Sequence, residues 1–406
     1  MQKLTYTSKG LKGKVILPGS KSVSNRLLMI AAVGNFMPNF KNISKCDDVV
    51  TLFNILHSNS NSFNVNDSGT ALRFIIAYFS GIMGEWQITG SERIQQRPVK
   101  PLVDKLKIAG ANIVYDKKDG YAPLTITGTK MKGETIEIDI SQSSQYASAL
   151  LLIAPMFENG LKLILKGEKR SMPYIDLTIE LMEHFGIKIV RMNDEIAIMP
   201  GQEYKPQSFD VEADWSASAF WYEMTALIPN FSVKMMGLDP TSKQGDKAVI
   251  ELWKKLNVET HIGTNHVSLT NKPNQNKSLY KADISQTPDL FPPLAMTCIG
   301  QKRPFEITGT ANLALKESDR AVAIQNIAKQ LGAEMIIEKD KITCTSYDGA
   351  IKEKIEVDTI NDHRIAMAAA PIAFLTDKIF LNDPSVVSKS YPEFWNDIAK
   401  IGFKLD

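Results

Sequence analysis

Seven cations stand where loops run into helices: Lys21, Arg26, Arg97, Lys316, Arg320, Arg364 and Lys389. Two carboxylates, Asp289 and Glu317, accompany them. That set suits phosphorylated, carboxylated reactants, with one group free to act as base and another as acid. The first cradle is Leu17-Pro18-Gly19-Ser20-Lys21-Ser22-Val23-Ser24-Asn25-Arg26, which follows the short apolar strand Val15, Ile16, Leu17 and precedes a helix signal from Leu27. Hydroxyls and backbone N–H groups at a helix start, flanked by Lys and Arg, form an anion cradle. Taken alone, Ser20 or Ser22 reads equally well as an N-cap, and the Walker A spacing is absent.

Further clusters carry the same chemistry. Asp67-Ser68-Gly69-Thr70-Ala71-Leu72-Arg73 starts a helix, with Gly69 permitting close backbone approach to a ligand. Ser91-Glu92-Arg93-Ile94-Gln95-Gln96-Arg97-Pro98 places two arginines before a proline suited to a helix's first turn. Ser143, Ser144 and Gln145 offer two hydroxyls and an amide, and Ser171-Met172-Pro173-Tyr174 another hydroxyl pair at a helix start. Asp289 stands at an element boundary before an apolar run. The segment from Asn312 through Lys316, Glu317 and Arg320, then Asp362-His363-Arg364 and Ser388-Lys389-Ser390, completes the series. Each cluster alone is matched by a cap or a solvated face. The set says more than its members.

The elements that must position these groups are numerous. The chain has 406 residues, enough for two domains or a large repeat architecture. Lys plus Arg total 47 against 45 Asp plus Glu, a net charge of +2, so no nucleic-acid footprint exists and any basic site is local. Cys46, Cys298 and Cys344 fit neither a disulfide nor a metal pattern, and the five histidines show no paired spacing. No metal and no cofactor is expected. The N-terminus lacks the apolar core of a signal peptide, and the most apolar run, 365–375, is too short to span a bilayer. A soluble cytoplasmic α/β protein is expected.

One phrase recurs: an amphipathic helix, a cap residue and a strand. The caps are Gly110, Gly186, Asn257, Gly332 and Gly402, separated by 76, 71, 75 and 70 residues. A sixth, degenerate copy is expected at 49–65, and several copies continue as a strand–turn–strand. Units of about seventy residues are each too small to be robust alone, so they should stack three and three. The helices at 147–154, 217–226 and 365–374 are apolar on more than one side, hence buried, and each follows a polar cluster.

The motifs together resemble the signature of the 5-enolpyruvylshikimate-3-phosphate (EPSP) synthases, in order from residue 15 to about 396. The residues that carry the resemblance are 18–26, 69–73, 143–146, 171–176, 316–320 and 361–364. The resemblance implies a two-domain inside-out α/β barrel built from six βαβαββ-like repeats, three per domain. The domains would span 20–213 and 1–19 plus 214–406, with the ligands in the cleft between them. It implies transfer of the enolpyruvyl group of phosphoenolpyruvate to the 5-hydroxyl of shikimate 3-phosphate, with release of phosphate. Lys21, Ser22 and Arg26 would hold shikimate 3-phosphate, Lys21 also reaching phosphoenolpyruvate. Ser143, Ser144 and Ser171 would take the 3-phosphate, with Gln145, Asn312 and Lys316 completing the pocket. Gly69, Arg97, Arg320, Arg364 and Lys389, with Lys21 and Gln145, would form the phosphoenolpyruvate clamp. Asp289, which would also contact shikimate 3-phosphate, would be the base, Glu317 the acid, and Lys21 a third catalytic residue. Gly69 corresponds to sensitivity to glyphosate, and a monomer is the family expectation.

Two departures from the family pattern stand out. About twenty residues separate Asp48 from Gly69 where the family has some fifty, so one repeat should lack its outer hairpin. The segment from Pro288 to Leu294 follows a divergent branch, which makes Asp289 a weaker match than Glu317. Two rival readings differ from this one in their residues. The sister transferase acting on UDP-N-acetylglucosamine carries a loop cysteine absent from 91–97 and lacks the Ser-Ser-Gln pocket. A non-catalytic anion-binding paralogue would be expected to lose Asp289 or Glu317, and both are present.

Overall fold

Five helix-to-strand junctions frame the fold. In this computed structural model, which describes residues 1–7, 12–272 and 278–406, Gly110, Gly186, Asn257, Gly332 and Gly402 all take positive φ, from 70° to 106°. That left-handed geometry turns the chain out of a helix, and Gly and Asn adopt it at least cost. The helices before these caps are Lys100–Ile108, Met172–His184, Val249–Lys254, Arg320–Gln330 and Phe394–Ala399. The strand after each cap forms the edge of a four-stranded sheet.

The five sheets share one pairing order, in which a parallel pair is followed by two antiparallel neighbours. In one, Ser62–Asn64 runs parallel to Gly84–Thr89, with Phe63 opposite Ile88. Gly84–Thr89 then pairs antiparallel with Leu124–Gly128, which pairs antiparallel with Asn112–Tyr115. Among the described residues the remaining sheet has two strands, Asn39–Lys41 parallel to Ser208–Asp210. After the helix Asp47–Leu56 the chain passes directly to Ser62–Asn64 of the next sheet. No strand pair intervenes there.

The chain divides into two compact units, Met1–Gly19 with Glu212–Asp406, and Ser20–Val211. In the first unit the outgoing and returning chains are joined by Asp214 N donating to Pro18 O at 2.9 Å and by a bridge between Gly19 and Ala213. Each unit has its own apolar core. In the unit 212–406 the central helices are Trp215–Leu227, Phe291–Gly300 and His363–Ala369. All residues of Trp215–Leu227 except Ser216 are buried, as its all-round apolar pattern requires. In the unit 20–211, Lys21–Val33, Gly69–Ser80 and Gln145–Ile153 serve the same purpose. Each fully buried aliphatic or aromatic side chain contributes about 1.5–3 kcal/mol, which offsets the cost of ordering the chain.

Two local expectations change. The first helix starts at Lys21, six residues before the apolar signal at Leu27, because Ser20 caps it by accepting from Val23 N. The apolar run 365–374 does not form one helix. It breaks into a 3-10 turn, Ala370–Ile372, at Pro371, which has no N–H to donate. Among the described residues no helix is long and apolar enough to cross a membrane, and no cluster of His, Cys, Asp or Glu could hold a metal ion.

Candidate active site

In the unit 212–406 the chemistry gathers on Asp289. Pro288–Leu290 forms a 3-10 turn before Phe291–Gly300, and this turn presents the Asp289 carboxylate to three cations. Arg320 Nη1 donates to Oδ1 at 2.7 Å, Lys316 Nζ lies 3.2 Å from Oδ1, and Arg364 Nη2 donates to Oδ2 at 3.0 Å. Burial alone would raise the Asp289 pKa. Arg364, Lys316 and Arg320 outweigh it and hold the carboxyl well below its usual range, although Glu317 acts in the opposite sense.

Arg320 is the hub. Its guanidinium is 1% exposed and also donates to Glu317 Oε2 at 2.7 Å and to Asp362 Oδ2 at 2.8 Å. Burial disfavours its charge, but Asp362, Glu317 and Asp289 more than offset that and keep it protonated. Asp362 is itself fully buried. It accepts from Ser318 Oγ at 3.0 Å and caps the helix His363–Ala369 by accepting from Arg364 N at 3.0 Å. One carboxylate thus orients two of the expected clamp arginines. Asn312 opens the 3-10 turn Leu313–Leu315 that leads into Lys316. Lys389 is buried and ends the turn Pro384–Lys389, which packs against the helix that carries Arg364.

In the unit 20–211 the N-terminal halves of four helices are tied together. Lys21, at the first position of its helix, pairs with the buried Asp48 of Asp47–Leu56 at 3.0 Å. Arg26 is 2% exposed and donates to four groups: Thr178 Oγ1 at 2.7 Å, Ser22 O at 2.9 Å, Tyr174 O at 3.0 Å and Ser148 Oγ at 3.2 Å. These bonds join Lys21–Val33 to Gln145–Ile153 and Met172–His184. Burial lowers the Arg26 pKa to about 10, so it stays charged at neutral pH. Arg26 was expected as a ligand group. Here most of its donors serve the fold.

Gly69 opens the helix Gly69–Ser80, and its lack of a side chain is used. A methyl there would lie 2.8 Å from Arg97 Cζ and 2.9 Å from Arg73 Nη1. Arg73 Nη1 donates to Gly69 O at 3.0 Å and to Gln145 Oε1 at 2.9 Å, while Gln145 Nε2 donates to Thr70 Oγ1 at 3.0 Å. Gln145 therefore braces two helix starts. Ser143 Oγ accepts from Gln145 N at 3.2 Å, and Ser144 occupies the N-cap of Gln145–Ile153 without a side-chain capping bond. Ser171, at the N-cap of Met172–His184, holds φ 55° and ψ 34°. A non-glycine residue in that region stores about 1–3 kcal/mol of strain, a frequent mark of a functional position.

The structure thus assembles Asp289, Lys316, Glu317, Arg320 and Arg364 in one network, and links Gly69 and Gln145 through Arg73, with Arg97 lying against Gly69. Asp48 and Asp246 are participants that lie outside the motifs, and Arg73 and Asp362 stand within motifs that assign them no role. Arg73 reads from sequence as an ordinary helix arginine. Asp246 sits on a turn, Gly245–Ala248, with no local signal at all.

Comparison with known proteins decides the family. The sequence profile of EPSP synthase (3-phosphoshikimate 1-carboxyvinyltransferase) matches residues 5–60 and 55–398. The chain belongs to the EPSP synthase family. A relative from Bacteroides fragilis (strain YCH46), named 3-phosphoshikimate 1-carboxyvinyltransferase, is 38% identical over 411 residues, covering 100% of this chain and 99% of its own. One of the same name from Colwellia psychrerythraea (strain 34H) is 31% identical over 431 residues, covering 99% and 100%. The solved EPSP synthase from Acinetobacter baumannii superposes with a TM-score of 0.75 at 20% identity over 100% of both chains, which establishes a shared mixed α/β fold of several small sheets. Family membership over the full length makes this chain a transferase of the shikimate pathway.

Proposed function

We propose that this protein transfers the enolpyruvyl group of phosphoenolpyruvate to the 5-hydroxyl of shikimate 3-phosphate, by addition and then elimination of phosphate. The observation that carries this reading is the grouping of Asp289 and Glu317 on one buried guanidinium, Arg320. A base and an acid are thereby held in one network beside further cations. Asp289 takes the proton of the 5-hydroxyl, and Glu317 protonates the methylene carbon. In the free protein the cations make Asp289 a poor base. Shikimate 3-phosphate drawing on Lys316, and phosphoenolpyruvate on Arg364 and Arg320, weaken that hold and restore its basicity as the hydroxyl arrives.

Lys21, Ser22, Arg26, Ser143, Ser144, Gln145, Ser171, Asn312 and Lys316 hold shikimate 3-phosphate in this reading. Lys21, Gly69, Arg97, Gln145, Arg320, Arg364 and Lys389 hold phosphoenolpyruvate. The helix starts at Lys21, Gly69, Gln145 and Met172 support it, since each offers N–H groups and a partial positive charge to anions. Charge-assisted bonds of about 1.5–3 kcal/mol each are what two multiply anionic reactants need to be brought together. This function requires both clusters to act on one pair of reactants.

The common pairing order of five sheets supports six βαβαββ-like repeats, three per unit, in an inside-out α/β barrel. The two-stranded sheet would mark the truncated repeat. The protein acts as a cytoplasmic monomer in this reading, to be checked by light scattering. The decisive experiment is a coupled phosphate-release assay. Phosphate should appear only when shikimate 3-phosphate and phosphoenolpyruvate are both supplied, and no release above background would refute the function.

A further inference from the structure

Asp246 is buried, 1% exposed, and the reaction described above gives it no role. One carboxyl oxygen, Oδ2, accepts from the Ser216 hydroxyl at the first turn of Trp215–Leu227. The other, Oδ1, is buried without a hydrogen-bond partner among the described residues. Its turn is pinned by the neighbouring Gln244, whose Nε2 donates to Ala213 O at 2.9 Å and whose Oε1 accepts from Trp215 N at 3.1 Å. The carboxyl is therefore fixed in place.

The charged groups that act on it come from three elements. Asp289, on the turn before Phe291–Gly300, and Asp214, at the N-cap of Trp215–Leu227, disfavour its charge, and Arg364, on the helix His363–Ala369, favours it. Lys247, its neighbour in the chain, is engaged elsewhere, with Nζ donating to Pro240 O at 2.6 Å. Burial and Asp289 push the Asp246 carboxyl up to about 6, against the pull of Arg364 and Ser216. Its charge in the free protein thus leans on Arg364. An anion arriving at Arg364 adds negative charge to the same buried region and withdraws that support.

We propose that Asp246 takes up a proton from solvent, onto Oδ1, when an anion binds at Arg364, so that the buried charge of this pocket stays balanced. The inference rests on Arg364 holding an anion, as in the function proposed above. Proton uptake is linked to affinity, so anions bind more tightly as the pH falls toward 6. Asp246 is a positioning residue for charge and touches neither reactant in this account.

Sulfate is the probe, because it stays a dianion from pH 5 to 8 and carries no proton of its own. Proton uptake on adding sulfate is read with an indicator dye in weakly buffered solution near pH 6.5. The wild type should take up a substantial fraction of a proton per sulfate bound, and Asp246→Asn several-fold less. Sulfate affinity should fall about threefold or more from pH 5.5 to 7.5 in the wild type and stay nearly flat in Asp246→Asn. Asp246→Glu, which keeps a carboxyl, should retain uptake, and it serves as the comparison if the Asn variant folds poorly. Equal uptake in wild type and Asp246→Asn, or no uptake in Asp246→Glu, overturns the proposal. Failure of the enzymatic function would appear instead as absent phosphate release with the uptake difference intact.

Discussion

Arg320 and Glu317 are joined by a 2.7 Å charge-assisted hydrogen bond, Nη2 to Oε2, and the same guanidinium reaches Asp289 at 2.7 Å. The proposed acid and base are therefore not independent side chains. They share one buried cation, which Asp362 fixes from behind through Nε at 2.8 Å. Any change in the charge around Arg320 must be felt by both.

Glu317→Gln tests the acid. The amide keeps the shape and can still meet Arg320, but it cannot deliver a proton to carbon. Turnover should fall by about 10²–10⁴-fold, the usual worth of a general acid. Binding of shikimate 3-phosphate, measured by calorimetry, should change little. Loss of that binding would assign Glu317 a structural role.

Lys316→Met tests the electrostatic hold on Asp289. A carboxyl whose folded pKa is depressed adds stability above its unfolded value, about 3.9, and that stability is lost as pH falls through the folded pKa. Removing one of the three cations weakens this contribution. The variant should show a lower denaturant midpoint than wild type at pH 7, and that deficit should persist through pH 4 and shrink only as the pH falls well below the unfolded value, through the folded pKa. No deficit at pH 7 would show that Lys316 does not hold the carboxylate.

Gly69→Ala tests the close approach of Arg97. The added methyl cannot sit 2.8 Å from Arg97 Cζ, so that guanidinium and Arg73 must shift. KM for phosphoenolpyruvate should rise roughly tenfold, equivalent to about 1.4 kcal/mol, with KM for shikimate 3-phosphate nearly unchanged. Glyphosate should inhibit the variant less than wild type. An unchanged KM for phosphoenolpyruvate would remove Arg97 from the clamp.

Glu223→Gln tests a buried acid in the core of the unit 212–406. Neither Glu223 carboxyl oxygen has a hydrogen-bond partner among the described residues, and burial raises its pKa well above 4.5. Below pH 4 the group is neutral in both folded and unfolded chains and costs nothing through ionisation. Above that, the unfolded chain ionises first, so stability falls by about 1.4 kcal/mol per pH unit until the folded pKa is reached. Glutamine has no such slope. The denaturant midpoint of the variant, relative to wild type, should be higher at pH 8 than at pH 4, and an equal difference at both would place the ionised group in the folded protein.

Local chemistry determined much of this protein by itself. The five caps are legible because only Gly, and at 257 Asn, turns a helix into a strand with φ near 70–106° at low cost. The buried helices are legible because a stretch such as Trp215–Leu227 has no polar face to give to water. The short span from Asp48 to Gly69 leaves room for little besides one helix and one strand, and the chain passes from Asp47–Leu56 to Ser62–Asn64. The phosphate-type clusters could be found because they sit at helix starts, where N–H groups and cations coincide.

Tertiary structure decided which of those residues face one another. Asp289 and Arg364 lie far apart in the chain, yet an Nη2–Oδ2 bond of 3.0 Å makes one carboxylate depend on a cation in another element. Arg26, in a motif that points to a ligand, also ties three helices together through its bonds to Thr178, Ser148 and Tyr174. Asp246 carries no local signal, since a carboxyl's role follows from its burial and from charges brought near it by other elements. Residue type and spacing act over a few ångströms along the chain. Burial, shared cations and close approach exist only once distant segments have packed.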